Sequence, residues 1–216
     1  GKTTAFNIIT GFLKPNSGSI TYRDKSLTGL AAHQVAKYGV VRTFQKTSVF
    51  DGNTVIENIM MGLHLNGRCK VWEVLLGLPR VSIENTRLEE RALEILDLVG
   101  LSNRASDMAS DLAYGELRLL EVAIALAAEP ALLLLDEPAS GMNPSETASF
   151  MKTVSKIRDE GTTILLVEHD MRMVMGISDR VVVLNQGEII ASGTPKEIQN
   201  NPKVIHAYLG YGDEDA

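Results

Sequence analysis

Apolar and polar residues alternate along the chain in patterns that predict helices and strands in turn. At the start, apolar side chains recur with a helical period, which predicts an opening helix with one wide buried stripe: Ala5, Phe6, Ile8, Ile9, Phe12 and Leu13. After a turn cluster at 14–18, short apolar runs at 19–22 and 40–44 predict two strands. Thr54 and Glu57 have the spacing of a capping box, which predicts that a further helix begins there.

Residues 65–128 contain no convincing strand signal and predict an all-helical block. Its clearest feature is a long amphipathic helix that Gly100 closes, with apolar positions at helical spacing: Leu88, Ala92, Ile95, Leu96 and Val99. We therefore expect a helical subdomain inserted at 65–128.

Strand signals return in the second half of the chain. The unbroken apolar run 132–135 is typical of a strand buried on both faces, and 163–167 is a second β-rich run. Between them, Asn143 and Pro144 predict a helix start. Residues 181–192 predict an antiparallel hairpin. This alternation indicates an α/β fold with a mainly parallel sheet and helices on both faces.

Composition narrows the function classes. A chain of 216 residues is long enough for one compact domain with an appended subdomain. Its net charge of −6 argues against a broad nucleic-acid-binding face, and its single cysteine, Cys69, cannot form an intrachain disulfide. The longest apolar runs are far shorter than the roughly 18 to 20 residues that span a bilayer. Any membrane role is therefore expected to act through a partner.

The chain begins with Gly1, Lys2, Thr3 and Thr4 at the start of the first predicted helix. Gly-Lys-Thr at a helix N-terminus matches the end of a phosphate-binding loop, where backbone N–H groups and the lysine hold nucleotide phosphates and a hydroxyl binds magnesium. Taken alone, the triplet is more typical of an ordinary helix start with threonine as a cap.

Asp136 and Glu137 follow the buried run directly, at the sheet edge where open α/β proteins bind ligands. This is the Walker B arrangement. Asp136 would lie near magnesium, and Glu137 would act as general base on the water that attacks the γ-phosphate. Alone, such a pair is equally consistent with the start of a solvated loop.

Residues 112–116, Leu-Ala-Tyr-Gly-Glu, precede an apolar-periodic helix predicted from Leu117. At this point the sequence resembles the ATP-binding cassette (ABC) family, whose signature loop lies shortly before Walker B. Ala113, Tyr114, Gly115 and Glu116 match that loop, although Ala113 stands where the family has a serine that contacts the γ-phosphate. The resemblance implies that these four residues bind ATP.

Two further residues follow in the family's order. Gln45 matches the Q-loop glutamine, which in the family meets Mg²⁺ and the attacking water. His169 matches the switch histidine, which hydrogen-bonds the γ-phosphate. The resemblance implies catalytic roles for Glu137, His169 and Gln45, with Thr3, Gln45 and Asp136 at the metal.

The resemblance covers nearly the whole chain and is strongest to the longer ATPase subunit of branched-chain amino-acid importers. It implies an ATPase with a P-loop NTPase core, ATP and Mg²⁺ as ligands, and a C-terminal hairpin. It also implies a single ABC domain over 1–216 that lacks its N-terminal strands, so that the chain alone should bind ATP poorly.

The implied partners are a second ATP-binding subunit, identical or paralogous, the transmembrane permease subunits and, indirectly, a solute-binding protein. No nucleic acid is expected. The implied location is peripheral, on the cytoplasmic face of the inner (plasma) membrane. Two alternatives remain open: a soluble ABC ATPase outside transport, and a nucleotide-binding subunit with weak hydrolysis.

Overall fold

The computed structural model describes residues 1–43, 49–64 and 79–209. Its helices are α1 (Lys2–Ile9), α2 (Ala32–Ala36), α3 (Val55–His64), α4 (Pro79–Val99), α5 (Tyr114–Leu126), α6 (Pro144–Asp159), α7 (Met171–Ile177), α8 (Pro195–Gln199) and α9 (Pro202–Leu209). Its strands are β1 (Thr21–Tyr22), β2 (Lys25–Ser26), β3 (Val40–Arg42), β4 (Leu132–Asp136), β5 (Thr163–Val167), β6 (Val181–Asn185) and β7 (Glu188–Gly193).

The central sheet is parallel, with β4 between β3 and β5. Leu134 pairs with Arg42 on one side and with Leu165 on the other, and Asp136 pairs with Val167. This order confirms the predicted parallel α/β sheet, because each pair of parallel neighbours is joined through a helical crossover.

Helices cover both faces of this sheet, as the alternation of side chains along β4 requires. Leu134 is buried with Phe6 of α1 and Val35 of α2. Leu133 and Leu135 are buried in a larger cluster that contains residues of α3 to α7. The continuous leucine run thus packs against helices on both faces of the sheet, as predicted.

Two predicted helix starts are confirmed at the level of single hydrogen bonds. The Thr54 N–H donates to Glu57 Oε2 at 2.8 Å, and the Glu57 N–H donates to Thr54 Oγ1 at 3.3 Å, which completes the capping box. Hydrogen bonds from the Thr54 backbone N–H and from the Thr54 side chain to the Glu57 carboxyl lower the pKa of that carboxyl. Asn143 Oδ1 accepts the N–H groups of Ser145 and Glu146 at 2.9 and 3.0 Å and caps α6.

The opening helix is shorter than predicted. It ends at Ile9 because Gly11 adopts a φ of +76°, and a Cβ there would lie 2.4 Å from the Leu30 carbonyl oxygen. Phe12 and Leu13, which the helical period placed on the buried stripe, are instead 58% and 47% exposed. The expectation of a stripe through position 13 was therefore wrong.

The described part of the predicted helical block contains α4, two short 3₁₀ turns and α5. Gly100, with a φ of +79°, ends α4 as predicted. Its buried residues Ile95 and Leu96 belong to the same apolar cluster as Leu133 of the sheet. The boundaries 65–128 as an inserted subdomain stay a prediction, since residues 65–78 lie outside the described part.

The C-terminal hairpin of β6 and β7 is antiparallel, as predicted, and forms a separate two-stranded sheet. A cavity of about 860 Å³ is lined by residues of β6, β5 and α1. Aliphatic side chains make up most of its lining, which also includes the charged residues Lys2, Arg158, Glu168, Asp179 and Arg180. The predicted Q-loop residue Gln45 falls outside the described residues.

The packing of α4 can be tested with two leucines on the same helix. Leu96 is fully buried, so Leu96→Ala should lower the free energy of unfolding by about 2–5 kcal/mol. Leu93 is 45% exposed, and Leu93→Ala should change that free energy by roughly 0.5 kcal/mol or less. Urea unfolding of both variants measures these free energies. An equal loss of unfolding free energy in the two variants would contradict the placement of α4.

Candidate functional site

Three of the predicted site residues, Asp136, Glu137 and His169, lie where β4 and β5 end. Asp136 is the last residue of β4 and pairs with Val167, the last residue of β5. The Glu137 N–H then donates to the Val167 carbonyl oxygen at 2.8 Å. The Walker B pair and His169 therefore leave the sheet at the same edge, which is the ligand-binding edge of parallel α/β folds.

A buried ion pair fixes the Asp136 carboxylate. Arg42 Nη2 lies 2.6 Å from Asp136 Oδ2, and the two side chains are 10% and 0% exposed. Arg42 Nη1 also donates to Asn7 Oδ1 at 2.6 Å, and its guanidinium lies over the Phe6 ring. The pair thus links β3, β4 and α1 at the sheet edge.

The second oxygen of Asp136 has a different environment. Oδ1 is buried and has no hydrogen-bond partner within the described ranges. A buried carboxylate oxygen without a partner is costly unless a ligand supplies one. Mg²⁺ prefers oxygen ligands and keeps several of its waters, so this oxygen fits a magnesium-bound water.

Glu137 has an unusual backbone conformation for a residue with a side chain. Its φ is +47°, in the left-handed region that costs a non-glycine residue of order 1–3 kcal/mol. The bond from its N–H to Val167, and the bond that its carbonyl accepts from the Ser140 N–H at 3.1 Å, hold that conformation. Such strain concentrates at functional sites.

The residues of the predicted phosphate loop lie at the start of α1. Gly1 is the N-cap, Lys2 is half-buried, and Thr3 and Thr4 are exposed. Asn7, in the last turns of the same helix, is bonded to Arg42, the partner of Asp136. At the other end of the helix, a Cβ on Gly1 would lie 3.4 Å from the Gly187 Cα in the turn between β6 and β7.

His169 follows β5 and presents its imidazole to solvent, with 63% of the side chain exposed. Its neighbour Glu168 is buried, with 1% of the side chain exposed. Glu168 accepts hydrogen bonds from the N–H groups of Ala139 and His169, both at 3.0 Å.

The signature residues begin α5 three positions earlier than the sequence predicted. Ala113 is the N-cap, and Tyr114, Gly115 and Glu116 form the first turn rather than a loop. Glu116 Oε2 accepts the Ala113 N–H at 3.0 Å and its Oε1 accepts from Arg104 at 3.1 Å. The helix starts early because Glu116 satisfies an N-terminal donor that would otherwise be unpaired.

Tyr114 connects this helix start to the segment after Walker B. Its hydroxyl donates to the Ser140 carbonyl oxygen at 2.8 Å, and its ring packs so close to Gly141 that a Cβ there would lie 3.1 Å from the ring atom Cε1. Arg118 donates to the same hydroxyl and pairs with Glu121. Burial lowers the pKa of Arg118, but its bonds to Glu121 and Tyr114 outweigh burial and leave that pKa raised.

Three residues of this arrangement were missed by the sequence predictions: Arg42, Asn7 and Glu168. Arg42 lies in a predicted strand, and its charge in an otherwise apolar run was the available signal. Glu168 stands beside the predicted His169, and nothing in its sequence position indicated burial. Gln45, in contrast, was predicted and lies outside the described residues.

Comparison with protein families gives two matches. The family described as "ABC transporter" matches residues 1–140. A second family, described as "Branched-chain amino acid ATP-binding cassette transporter", matches residues 188–214.

Named relatives match over most of their length. The chain is 48% identical over 211 residues to the high-affinity branched-chain amino acid transport ATP-binding protein LivG of Salmonella typhimurium, covering 97% of this chain and 83% of LivG. It is 43% identical to BraF of Pseudomonas aeruginosa, a protein of the same description, with the same coverage.

Solved structures of ATP-binding cassettes have the same fold. The ADP conformation of MJ1267, an ATP-binding cassette of an ABC transporter, superposes with a TM-score of 0.81 at 30% identity, over 97% of this chain and 84% of MJ1267. CbiO1 from Clostridium perfringens, part of the ABC transporter complex cbiONQ, gives 0.79 at 25% identity, over 97% and 80%. With the family match across residues 1–140 and the 48% identity to LivG, the chain belongs to the ABC transporter family, as an ATP-binding cassette.

Proposed function

We propose that this chain is the ATP-hydrolysing part of an ABC importer that takes up branched-chain amino acids or a related small solute. The relatives named above are branched-chain amino acid transport ATP-binding proteins, and the second family match has the same description. The solute itself would be bound and recognised by other subunits of the transporter.

One observation carries the proposal for the site. Asp136 is held by Arg42 through one oxygen while its other oxygen is buried and unpartnered within the described residues. Glu137 follows it in a strained conformation at the same sheet edge. A fixed carboxylate with one unpartnered oxygen, followed directly in the sequence by a second carboxylate, is an arrangement suited to phosphoryl transfer.

We assign the binding roles to the start of α1 and to Asp136. Lys2 would contact the β- and γ-phosphates, and the helix N-terminus adds N–H groups and the positive end of its dipole. Thr3 and Asp136 would hold Mg²⁺, together with Gln45. When bound, Mg²⁺ neutralises charge on the phosphates and orients them for in-line attack.

We assign the catalytic roles to Glu137 and His169. Glu137 would accept a proton from the attacking water, because it follows Asp136 directly and is half-buried at the sheet edge. His169 would donate a hydrogen bond to the γ-phosphate, since its exposed imidazole lies beyond the end of β5. Both groups would stabilise charge as it develops in the transition state.

Partners are needed to complete this function. The exposed start of α5, from Ala113 to Glu116, would contact the γ-phosphate held by a second ATP-binding subunit. Phe50 and Met61 are 56% and 36% exposed and would contact the permease. Within the described residues, no helix combines the length and apolar character that a bilayer crossing needs. The named relatives are transport ATP-binding proteins, and on that basis we place the subunit at the membrane periphery, on its cytoplasmic face.

Replacing Glu137 tests the proposed chemistry. In the full-length transporter, Glu137→Gln should lower the rate of phosphate release by roughly 10²-fold or more, because the amide cannot accept the proton of the attacking water. Affinity for a fluorescent ATP analogue should change by no more than a few-fold, and leucine uptake by cells should be lost.

The matched control is Glu160→Gln, an exposed glutamate at the end of α6. It should leave hydrolysis and uptake unchanged. A second variant uses the backbone strain: Glu137→Gly should stop turnover yet raise unfolding stability by about 1 kcal/mol. Normal turnover in Glu137→Gln would remove Glu137 from the role of base.

A substitution at Ala113, in contrast, should raise ATP turnover. Ala113→Ser would supply the missing N-cap acceptor of α5 and should raise stability by about 1 kcal/mol. Its hydroxyl would also donate to the phosphate across the subunit interface, so steady-state ATP turnover should rise.

Ala113→Gly is the control for turnover, which should change little, while its stability should rise by roughly 0.5–1 kcal/mol because glycine caps a helix better than alanine. Thermal unfolding and steady-state phosphate release measure the two effects separately. A serine variant that is more stable but no faster, and no tighter for ATP, would show that the missing hydroxyl does not limit the site.

A further inference from the structure

Glu168 is a buried carboxylate that the proposed chemistry does not use. Its side chain is 1% exposed, although it lies one residue before the solvent-exposed His169. A carboxylate leaves water at a cost of several kcal/mol unless hydrogen-bond donors replace the water. The hydrogen bonds that the buried Glu168 carboxylate accepts therefore indicate its role.

Each oxygen of Glu168 accepts one backbone N–H group. Oε1 accepts the Ala139 N–H at 3.0 Å, and Oε2 accepts the His169 N–H at 3.0 Å. Ala139 lies 29 positions away, in the segment that follows Asp136 and Glu137. The carboxylate thus joins the segment after β4 to the segment after β5.

The Ala139 side of this connection has other support. The Glu137 N–H bonds to Val167, the Ser140 N–H bonds to the Glu137 carbonyl, and Tyr114 bonds to the Ser140 carbonyl. On the other side, the His169 imidazole is 63% exposed, with Nδ1 3.8 Å from Glu168 Oε2. Losing Glu168 should therefore release His169 more than it releases Ala139.

We propose that Glu168 is a positioning residue, which holds the backbone of His169 against the segment after Walker B so that the imidazole is preset for the γ-phosphate. The proposal rests on the proposed ATPase function. Preorganised groups stabilise a transition state without reorganisation during the reaction, which gives a residue that never touches the phosphate an effect on the rate.

Glu168→Gln tests this with almost no change in shape. A glutamine has one acceptor oxygen, and its NH₂ group would face the second backbone N–H, so one of the two bonds is lost. In the full-length protein, kcat for Mg-ATP hydrolysis should fall by about 10-fold, the scale of one hydrogen bond to a charged group. KM for ATP should change by less than about 2-fold, because the loss appears in the transition state.

A double-mutant cycle with His169 separates positioning from general destabilisation. If Glu168 acts through His169, then adding Glu168→Gln to His169→Ala should lower the residual rate by less than about 2-fold. If Glu168 had a merely structural role, Glu168→Gln would lower kcat by the same factor in the unmutated protein and in the His169→Ala variant. Glu188→Gln, an exposed glutamate in β7, is the matched control and should leave the rate unchanged.

The outcomes are distinct. If the unmutated full-length protein releases no phosphate from Mg-ATP, the proposed ATPase function is wrong, and so is the role of Glu168. Normal hydrolysis in Glu168→Gln, or equal effects in the two backgrounds, would overturn the positioning role alone. Should Glu168→Gln not fold, amide hydrogen exchange in the unmutated protein decides, since rapid exchange at Ala139 and His169 would contradict the two bonds.

Discussion

Hydrogen bonds from β4 to β3 on one side and to β5 on the other fix where Arg42, Asp136 and the residues that directly follow β4 and β5 lie at the sheet edge. Because Asp136 pairs with Val167, the segments after β4 and β5 leave the sheet at the same level. Arg42, the last residue of β3, is thereby close enough to form an ion pair with Asp136. The register of three short strands thus determines the geometry of the site.

Burial of charge is the second constraint. Asp136 and Glu168 are almost fully buried, and each has fixed partners: a guanidinium for Asp136 and two backbone N–H groups for Glu168. Removing one partner of such a group costs about 3–5 kcal/mol in other proteins. The same bonds that offset this cost also restrict the residues beside them, which suits a site that must meet phosphates in one geometry.

Local signals predicted much of the fold, and long-range contacts account for what was missed. The cap at Asn143, the box at Thr54 and the β4 run depend on neighbouring residues and could be read from the chain. The Arg42 to Asp136 pair joins residues 94 positions apart, and the sequence gives no sign that one charge selects the other. The early end of α1 depends on the approach of Leu30 to Gly11, which is also a tertiary contact.

The central claim is that the nucleotide and its metal bind at the carboxyl edge of β4, next to Asp136. Paramagnetic broadening tests it directly, with Mn²⁺ and a non-hydrolysable ATP analogue added to the isotope-labelled full-length protein. Backbone amide signals of Asp136, Glu137 and His169 should broaden strongly, and those of residues 88–99 in α4 should not. Broadening centred on α4 or on the hairpin, or none near Asp136, would contradict the account.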